Sequence, residues 1–208
     1  MNDNPISRIP VLSDIQQVSD GWIKKYVLTY AMPDGSRYSY ESVSRKGLDA
    51  YRRELERNAC GEQPTPDAVC IVPQTRDGKL VLIREFRYPL NSWCIAFPAG
   101  LVDEGESIAD CVRRELAEET GYALRDGAGA EAVQPLPQTG YSSTGMAEEN
   151  VQVVFAQVDR RGAAHTEPSE FIEVFELPVS GVRRFLDENK TPIGTRCQLI
   201  LEMFARQG

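Results

Sequence analysis

The stretch from Ser107 to Gly121 constrains this chain more than any other. Ser107 suits an N-cap and Gly121 suits the left-handed residue that closes a helix, so a helix of about three to four turns is predicted over Ser107–Thr120. Ala109, Val112 and Leu116 recur at i, i+3 and i+7 and supply an apolar face. Glu115, Glu118 and Glu119 stand at i, i+3 and i+4 and share another side. An isolated helix disfavours that crowding: like charges at this spacing cost roughly 0.2–0.5 kcal/mol per pair. Glu118 and Glu119 also lie in the last turn, where the helix dipole opposes negative charge. A divalent cation reverses the sign of the problem, and oxygen-only ligands suit a hard ion such as Mg²⁺, with Mn²⁺ as a substitute. Arg114, four residues before Glu118, is placed to hold one carboxylate through a forked hydrogen bond. For the glutamates alone, a solvated acidic face is the commonplace alternative.

Composition narrows the chemistry. The single histidine, His165, removes Ser-His-Asp, Cys-His and multi-histidine metal sites. It lies in the polar run RGAAHTEPSE and reads as a solvated loop residue, so catalysis must rest on carboxylates. The five cysteines (Cys60, Cys70, Cys94, Cys111, Cys197) are scattered, without a C-x-x-C pair, and read as free thiols. A net charge of −8 with no dense Lys/Arg run argues against a nucleic-acid partner and fits a small phosphate ligand met through cations. With no run of about 18 apolar residues, no membrane span is expected. MNDNPISRIPVLSDI lacks the basic start and apolar core of a signal peptide, so a cytoplasmic location is expected.

The 208 residues suffice for one core plus a small accessory unit. Trp22–Ala31 and Ser36–Ser44, aromatic and β-branched, flank Pro33-Asp34-Gly35 and predict a hairpin. Two strands bury too little to stand alone, so this hairpin needs a partner surface on its own chain or on a second subunit. Gly47–Asn58 reads as a helix through Leu48, Tyr51 and Leu55, and Ala59–Asp67 reads as a linker, which puts a boundary near residue 60. The expected domains are therefore 1–60 and 61–208. Strands are predicted at Ala68–Pro73, Lys79–Arg84, Trp93–Phe97, Ala132–Leu136, Val151–Val158 and Phe171–Leu177, and further helices at Val179–Asp187 and Thr195–Arg206. Without strict alternation, a mixed sheet with helices on both faces is the expected α/β layout.

Gly100, Glu106, Arg114-Glu115-Leu116, Glu118-Glu119 and Gly121-Tyr122 match the Nudix box, G-x5-E-x7-R-E-U-x-E-E-x-G-U with U bulky and apolar, at every fixed position. Seven fixed positions at background frequencies give a chance match on the order of 10⁻⁸ per start, which outweighs the solvated-face alternative. By this resemblance the chain is identified as a Nudix hydrolase. The resemblance implies an α/β/α sandwich around a mixed sheet and hydrolysis of a nucleoside diphosphate linked to another group. Metal would lie on Glu115 and Glu119, with Glu118 close by and the Ala99 carbonyl as a further ligand. Glu106, Arg114, Glu118 and Glu170 complete the implied catalytic set.

Trp93-CIAFPAGLVDEGE, Glu85-Phe86-Arg87-Tyr88-Pro89, Tyr40-Glu41-Ser42-Val43-Ser44-Arg45 and Ser169-Glu170-Phe171-Ile172-Glu173-Val174 resemble the ADP-ribose pyrophosphatase branch. That resemblance implies ring contacts to adenine from Trp22 and Tyr40, with Glu41 beside them. It implies phosphate contacts from Arg45 and Arg87, and a loop near the terminal ribose at Gly145 and Met146. It implies a general base at Glu170, with Glu167 and Glu173 as rivals, and a homodimer that exchanges its N-terminal sheet. ADP-ribose, cleaved to AMP and ribose 5-phosphate, is the leading substrate. Another nucleotide sugar such as GDP-mannose, or a non-catalytic ligand sensor, are the alternatives. The chain departs from the branch at Ala96, where a glutamate is common, at Thr144, where proline is common, and in the helix over Gly47–Asn58, which looks like an insertion.

Overall fold

The computed structural model describes residues 9–127 and 129–207. The residues before Ile9, part of the stretch read above for a signal peptide, lie outside the described residues, as does Ala128. By packing, the chain forms two compact units. One runs to Thr65 and includes Gly140–Asn150; the other comprises Pro66–Thr139 and Val151 onward.

In the first unit, β1 (Val11–Gln17), β2 (Lys24–Ala31) and β3 (Arg37–Ser44) form an antiparallel sheet in the order β1-β2-β3. The expected hairpin is β2–β3, in register from Lys24↔Ser44 to Ala31↔Arg37, with Gly35 at φ 84° in its turn. Its partner surface lies within its own chain. Strand β1, missed in the sequence because VLSDIQQ is mostly exposed and carries an irregularity between Leu12 and Asp14, adds a third strand. Helix α1 (Leu48–Ala59) then covers one face: Ile15, Tyr26, Leu28 and Tyr51 form a buried cluster, with Leu48 and Leu55 against it. The segment Gly140–Asn150 joins this unit through Val43 N–H to the Met146 carbonyl, at 2.9 Å.

The second unit is built on β4 (Ala68–Gln74) and β5 (Lys79–Arg87), with β6 (Ser92–Ala96) on β5 and β7 (Ala99–Leu101) on β4. After α2 (Ile108–Glu115) come β8 (Tyr122–Leu124) and β9 (Val133–Pro135), and after the first unit's short strand β10 (Gly140–Tyr141) come β11 (Asn150–Arg160) and β12 (Ile172–Pro178). Strand β11 runs parallel to β4, and β12 antiparallel to β5, giving a mixed sheet. Every residue of β4 but the last is buried, as a central strand covered on both faces requires. Val69 and Ile71 pack with Val112 of α2 and with Leu116 immediately after it. Cys70 and Val72 pack on the other face with Val182 of α3 (Val182–Glu188) and Ile200 and Leu201 of α4 (Thr195–Gln207). The arrangement is the expected α/β/α sandwich. Cys70, Cys94, Cys111 and Cys197 are buried free thiols, and Cys60 is exposed. Among the described residues, no helix is long and apolar enough to cross a membrane.

Candidate active site

Helix α2 begins as predicted: Ser107 Oγ accepts from the Asp110 N–H at 3.1 Å. It does not continue as an α-helix to Thr120. Leu116–Thr120 forms a wider π-helical turn that ends at Gly121, φ 71°. Such turns re-aim side chains and recur at functional sites. Glu115 and Glu119 are 7% and 6% exposed, whereas the Glu118 side chain is about half exposed. The three still line one cleft of about 180 Å³, together with Arg114, His165, Glu167 and Glu170.

Two glycines of the box have steric reasons. A Cβ on Gly100 would lie 1.8 Å from Glu115 Oε1, so with any other residue there the Glu115 carboxylate would have to leave its present position. Gly121 combines its positive φ with a backbone approach in which a Cβ would meet the Gly162 carbonyl at 2.5 Å.

Arg114 orients the carboxylates, but not through the fork expected to Glu118. Its Nε and Nη2 donate to the two oxygens of Glu106, each at 2.9 Å, and Nη2 also donates to the Leu101 carbonyl at 2.9 Å. Nη1 donates to Glu115 Oε1 at 2.6 Å and reaches Glu118 Oε2 only at 3.4 Å. The parallel pair goes to Glu106 because β7 and the following turn bring that residue across the helix, whereas the exposed Glu118 side chain lies further off. The fork holds the Glu106 carboxyl down at about 2.

Glu119 has no such partner. Its one resolved hydrogen bond is from the Ala99 N–H to Oε2, at 3.0 Å. Burial pushes its carboxyl up to about 8, with the like charges of Glu115, Glu85 and Glu170 adding to the shift. Burial also raises Glu115, against the pull of Arg114. Among the described residues, no three Asp, Glu, His or Cys side chains form a closed ligand cage. The donor set nevertheless suits a hard divalent cation: two buried carboxylates, a third at the cleft mouth, and a mutual repulsion that positive charge relieves. Glu115, Glu118 and Glu119 are the side chains that would hold it.

The base candidates separate in space. Glu167 and Glu170 line the cleft, in a turn where Glu170 Oε2 accepts from the Glu167 N–H at 3.0 Å. Glu173, on β12, instead pairs with Arg84 at 2.5 Å. Arg87 pairs with Glu85 at 2.8 Å, in a geometry that leaves Glu85 Oε2 outside hydrogen-bond alignment.

The other expected substrate residues lie in the first unit. Trp22 is 74% exposed, and Glu41 pairs with Lys25 at 2.6 Å. Arg45 forms an ion pair with Glu149. Tyr40 Oη donates to the Gly145 carbonyl at 2.7 Å, and the Met146 carbonyl accepts from Ser42 Oγ at 3.0 Å. Tyr40, Gly145 and Met146 are thus brought together; Trp22 has no aromatic contact among those resolved.

Two features at or near the cleft escaped the sequence reading. His165 lies on the cleft wall, its N–H bonded to the Glu118 carbonyl at 2.8 Å. No local pattern signals this, because the contact joins a loop to a helix far away in sequence. Outside the cleft lining, Glu85 is a half-buried carboxylate whose charge adds to the upward shift of Glu119. Its i, i+2 relation to Arg87 in β5 was the available signal.

A mixed sheet between helix layers, with a glutamate-lined cleft at the end of α2, defines the Nudix class of fold. The NUDIX domain matches residues 64–194, and the chain belongs to that family. It is 30% identical over 184 residues to the ADP-sugar pyrophosphatase of Mus musculus, covering 82% of this chain and 74% of that protein. It is 29% identical over 155 residues to the ADP-ribose pyrophosphatase of Bacillus subtilis, covering 72% of this chain and 75% of that protein. Among solved structures, a crystal structure of an ADP compounds hydrolase superposes with a TM-score of 0.70 at 22% identity, covering 96% of this chain and 93% of that one.

Proposed function

We propose that this chain hydrolyses the pyrophosphate bond of a nucleoside diphosphate sugar with Mg²⁺, and that ADP-ribose, cleaved to AMP and ribose 5-phosphate, is its substrate. The carrying observation is the pair of buried carboxylates, Glu115 and Glu119, in a cleft that Glu118, Glu167 and Glu170 also line. The names of the relatives support the sugar nucleotide class.

When bound, a divalent cation supplies charge neutralisation for the diphosphate and acidifies water. Glu115 and Glu119 would hold it, with Glu118 and the Ala99 carbonyl beside them. Arg114 keeps Glu115 in place and is itself fixed by Glu106. Glu170 takes the proton of the attacking water. The water oxygen bonds to one phosphorus, and that phosphorus loses the bridging oxygen to the departing monophosphate. Arg87 and Arg45 meet phosphate oxygens, and Trp22 and Tyr40 take the base, with Glu41 beside it and Gly145 and Met146 near the sugar. The chain acts as a homodimer through its N-terminal sheet, a reading supported by exposed apolar side chains there, including Val11 and Tyr38.

A panel of ADP-ribose, other ADP-sugars and GDP-mannose, assayed with Mg²⁺ and with Mn²⁺ for nucleoside monophosphate release, tests the substrate. Cleavage of GDP-mannose but not ADP-ribose refutes it. Glu119→Gln should lower turnover by orders of magnitude with the fold retained; near-normal turnover removes Glu119 from the metal set.

A further inference from the structure

Glu170 stands on an exposed turn, and a carboxylate there serves the cleft only if the backbone beneath it is held. The turn is Glu167-Pro168-Ser169-Glu170. Proline presets its second residue, and the Glu170 N–H donates to the Glu167 carbonyl at 2.9 Å. Glu170 Oε2 accepts from the Glu167 N–H at 3.0 Å, so the direction of the carboxylate is set by the turn and moves with it.

Two ties bracket Glu170. On its C-terminal side, the Phe86 N–H donates to the Phe171 carbonyl at 3.0 Å, a bond that continues the β5–β12 ladder. On its N-terminal side, Tyr88 Oη donates to the Ser169 carbonyl at 3.0 Å. The ladder does not account for this second bond, since the paired register ends at Ile172↔Glu85 and Tyr88 reaches Ser169 with its side chain. Tyr88 is itself held. Its carbonyl accepts from the Asn91 N–H at 3.0 Å, and its ring packs edge-on against Phe86 with centroids 5.5 Å apart. Phe86 packs edge-on against Trp93 in turn, at 6.2 Å. Tyr88 is 63% exposed, and an exposed phenol exchanges one hydrogen bond for another with water, so this bond adds little to global stability. What it fixes is the position of the Ser169 carbonyl, one residue before Glu170. Tyr88 lies outside the lining of the glutamate cleft.

Taking Glu170 as the base of the reaction above, we propose that Tyr88 is a positioning residue: its phenol holds the Ser169 carbonyl and so keeps the Glu170 carboxylate on the cleft. Arg87 is the residue before it, so the end of β5 carries both a phosphate contact and the strut for the base.

Tyr88→Phe, Glu170→Gln and the double variant test this. Cleavage is measured on the fastest sugar nucleotide of the panel above, and hydrogen exchange on the metal-free chain. Tyr88→Phe should lower kcat about five- to tenfold, the loss expected from one neutral hydrogen bond, and leave KM within about twofold. Added to Glu170→Gln, it should cost less than about twofold, because a residue acting through Glu170 has nothing left to position. In the metal-free chain, Tyr88→Phe should speed exchange over residues 166–171 about threefold or more, while β4 exchanges as in the parent. A merely structural role would instead speed exchange throughout and lower kcat by the same factor with or without the Glu170 carboxylate. The proposal fails if the loss appears in KM, if the two substitutions multiply, or if exchange over residues 166–171 is unchanged. Unchanged kcat and exchange in Tyr88→Phe, beside an impaired Glu170→Gln, overturn the strut and leave the base assignment standing. Near-parental kcat in Glu170→Gln overturns the base assignment, and the positioning role with it, even where Tyr88→Phe speeds exchange of the turn.

Discussion

Gly100→Ala separates the site's geometry from its composition, because it removes no functional group. The added Cβ would sit 1.8 Å from Glu115 Oε1, 1.9 Å from Cδ and 2.4 Å from Oε2. An ordinary van der Waals separation requires the carboxylate to withdraw by roughly 1.5–2 Å. The Arg114–Glu115 hydrogen bond, now 2.6 Å, cannot survive that shift. Its loss costs about 1–2 kcal/mol of stability, discounted because Arg114 is partly exposed. The effect on turnover is larger: displacing a reacting group by about 1 Å costs on the order of 100-fold. Gly100 is not among the glycines at positive φ, so the substitution acts through space rather than backbone strain. Gly78→Ala is the control. Gly78 has φ 76° with nothing within 4 Å of the added Cβ, so that change should cost about 1–2 kcal/mol and leave kcat intact. The assay is chromatographic AMP release at saturating Mg²⁺, with thermal denaturation followed by circular dichroism. A folded Gly100→Ala protein with kcat within about threefold of the parent refutes the steric reasoning.

Glu106→Gln should cost about 2 kcal/mol in urea denaturation, since it leaves the Arg114 fork without its charged acceptor. The same pair sets a pH window. The folded carboxyl is held at about 2 against a usual 4.5, so its stabilisation is complete above about 4.5 and is lost as pH falls towards 2. Glu106→Gln should flatten the stability profile in that window, and an unchanged slope refutes the assignment. Gly121→Ala should cost about 3 kcal/mol, because it combines a left-handed residue with a backbone clash at 2.5 Å; a loss under about 1 kcal/mol would show that the loop yields easily. Light scattering at micromolar concentration should give a dimer; a monomer rules out the shared N-terminal sheet.

Local spacing was enough to place the helix after Ser107, to turn β2 back into β3 at Pro33-Asp34-Gly35, and to put Glu115, Glu118 and Glu119 on neighbouring positions. Caps, turn residues and the 3.6-residue period act over a few residues, so they can be read from the chain itself. Strand β1 was not legible, because its residues are mostly exposed and its pattern is broken between Leu12 and Asp14. The wider turn over Leu116–Thr120, which leaves Glu119 buried and Glu118 half exposed, needed the packed sheet beneath it. Arg114 illustrates the division best. Its helix neighbour Glu118 was the natural partner by spacing, yet Glu106 receives the fork because the fold carries that residue across from a preceding turn. His165 reaches the cleft in the same way, from a distant loop, and the charge of Glu85 reaches Glu119 from β5. Contacts between residues far apart in sequence depend on how sheets and helices close around a shared core, and that closure alone decided which carboxylates are buried, which are paired, and which line the cleft.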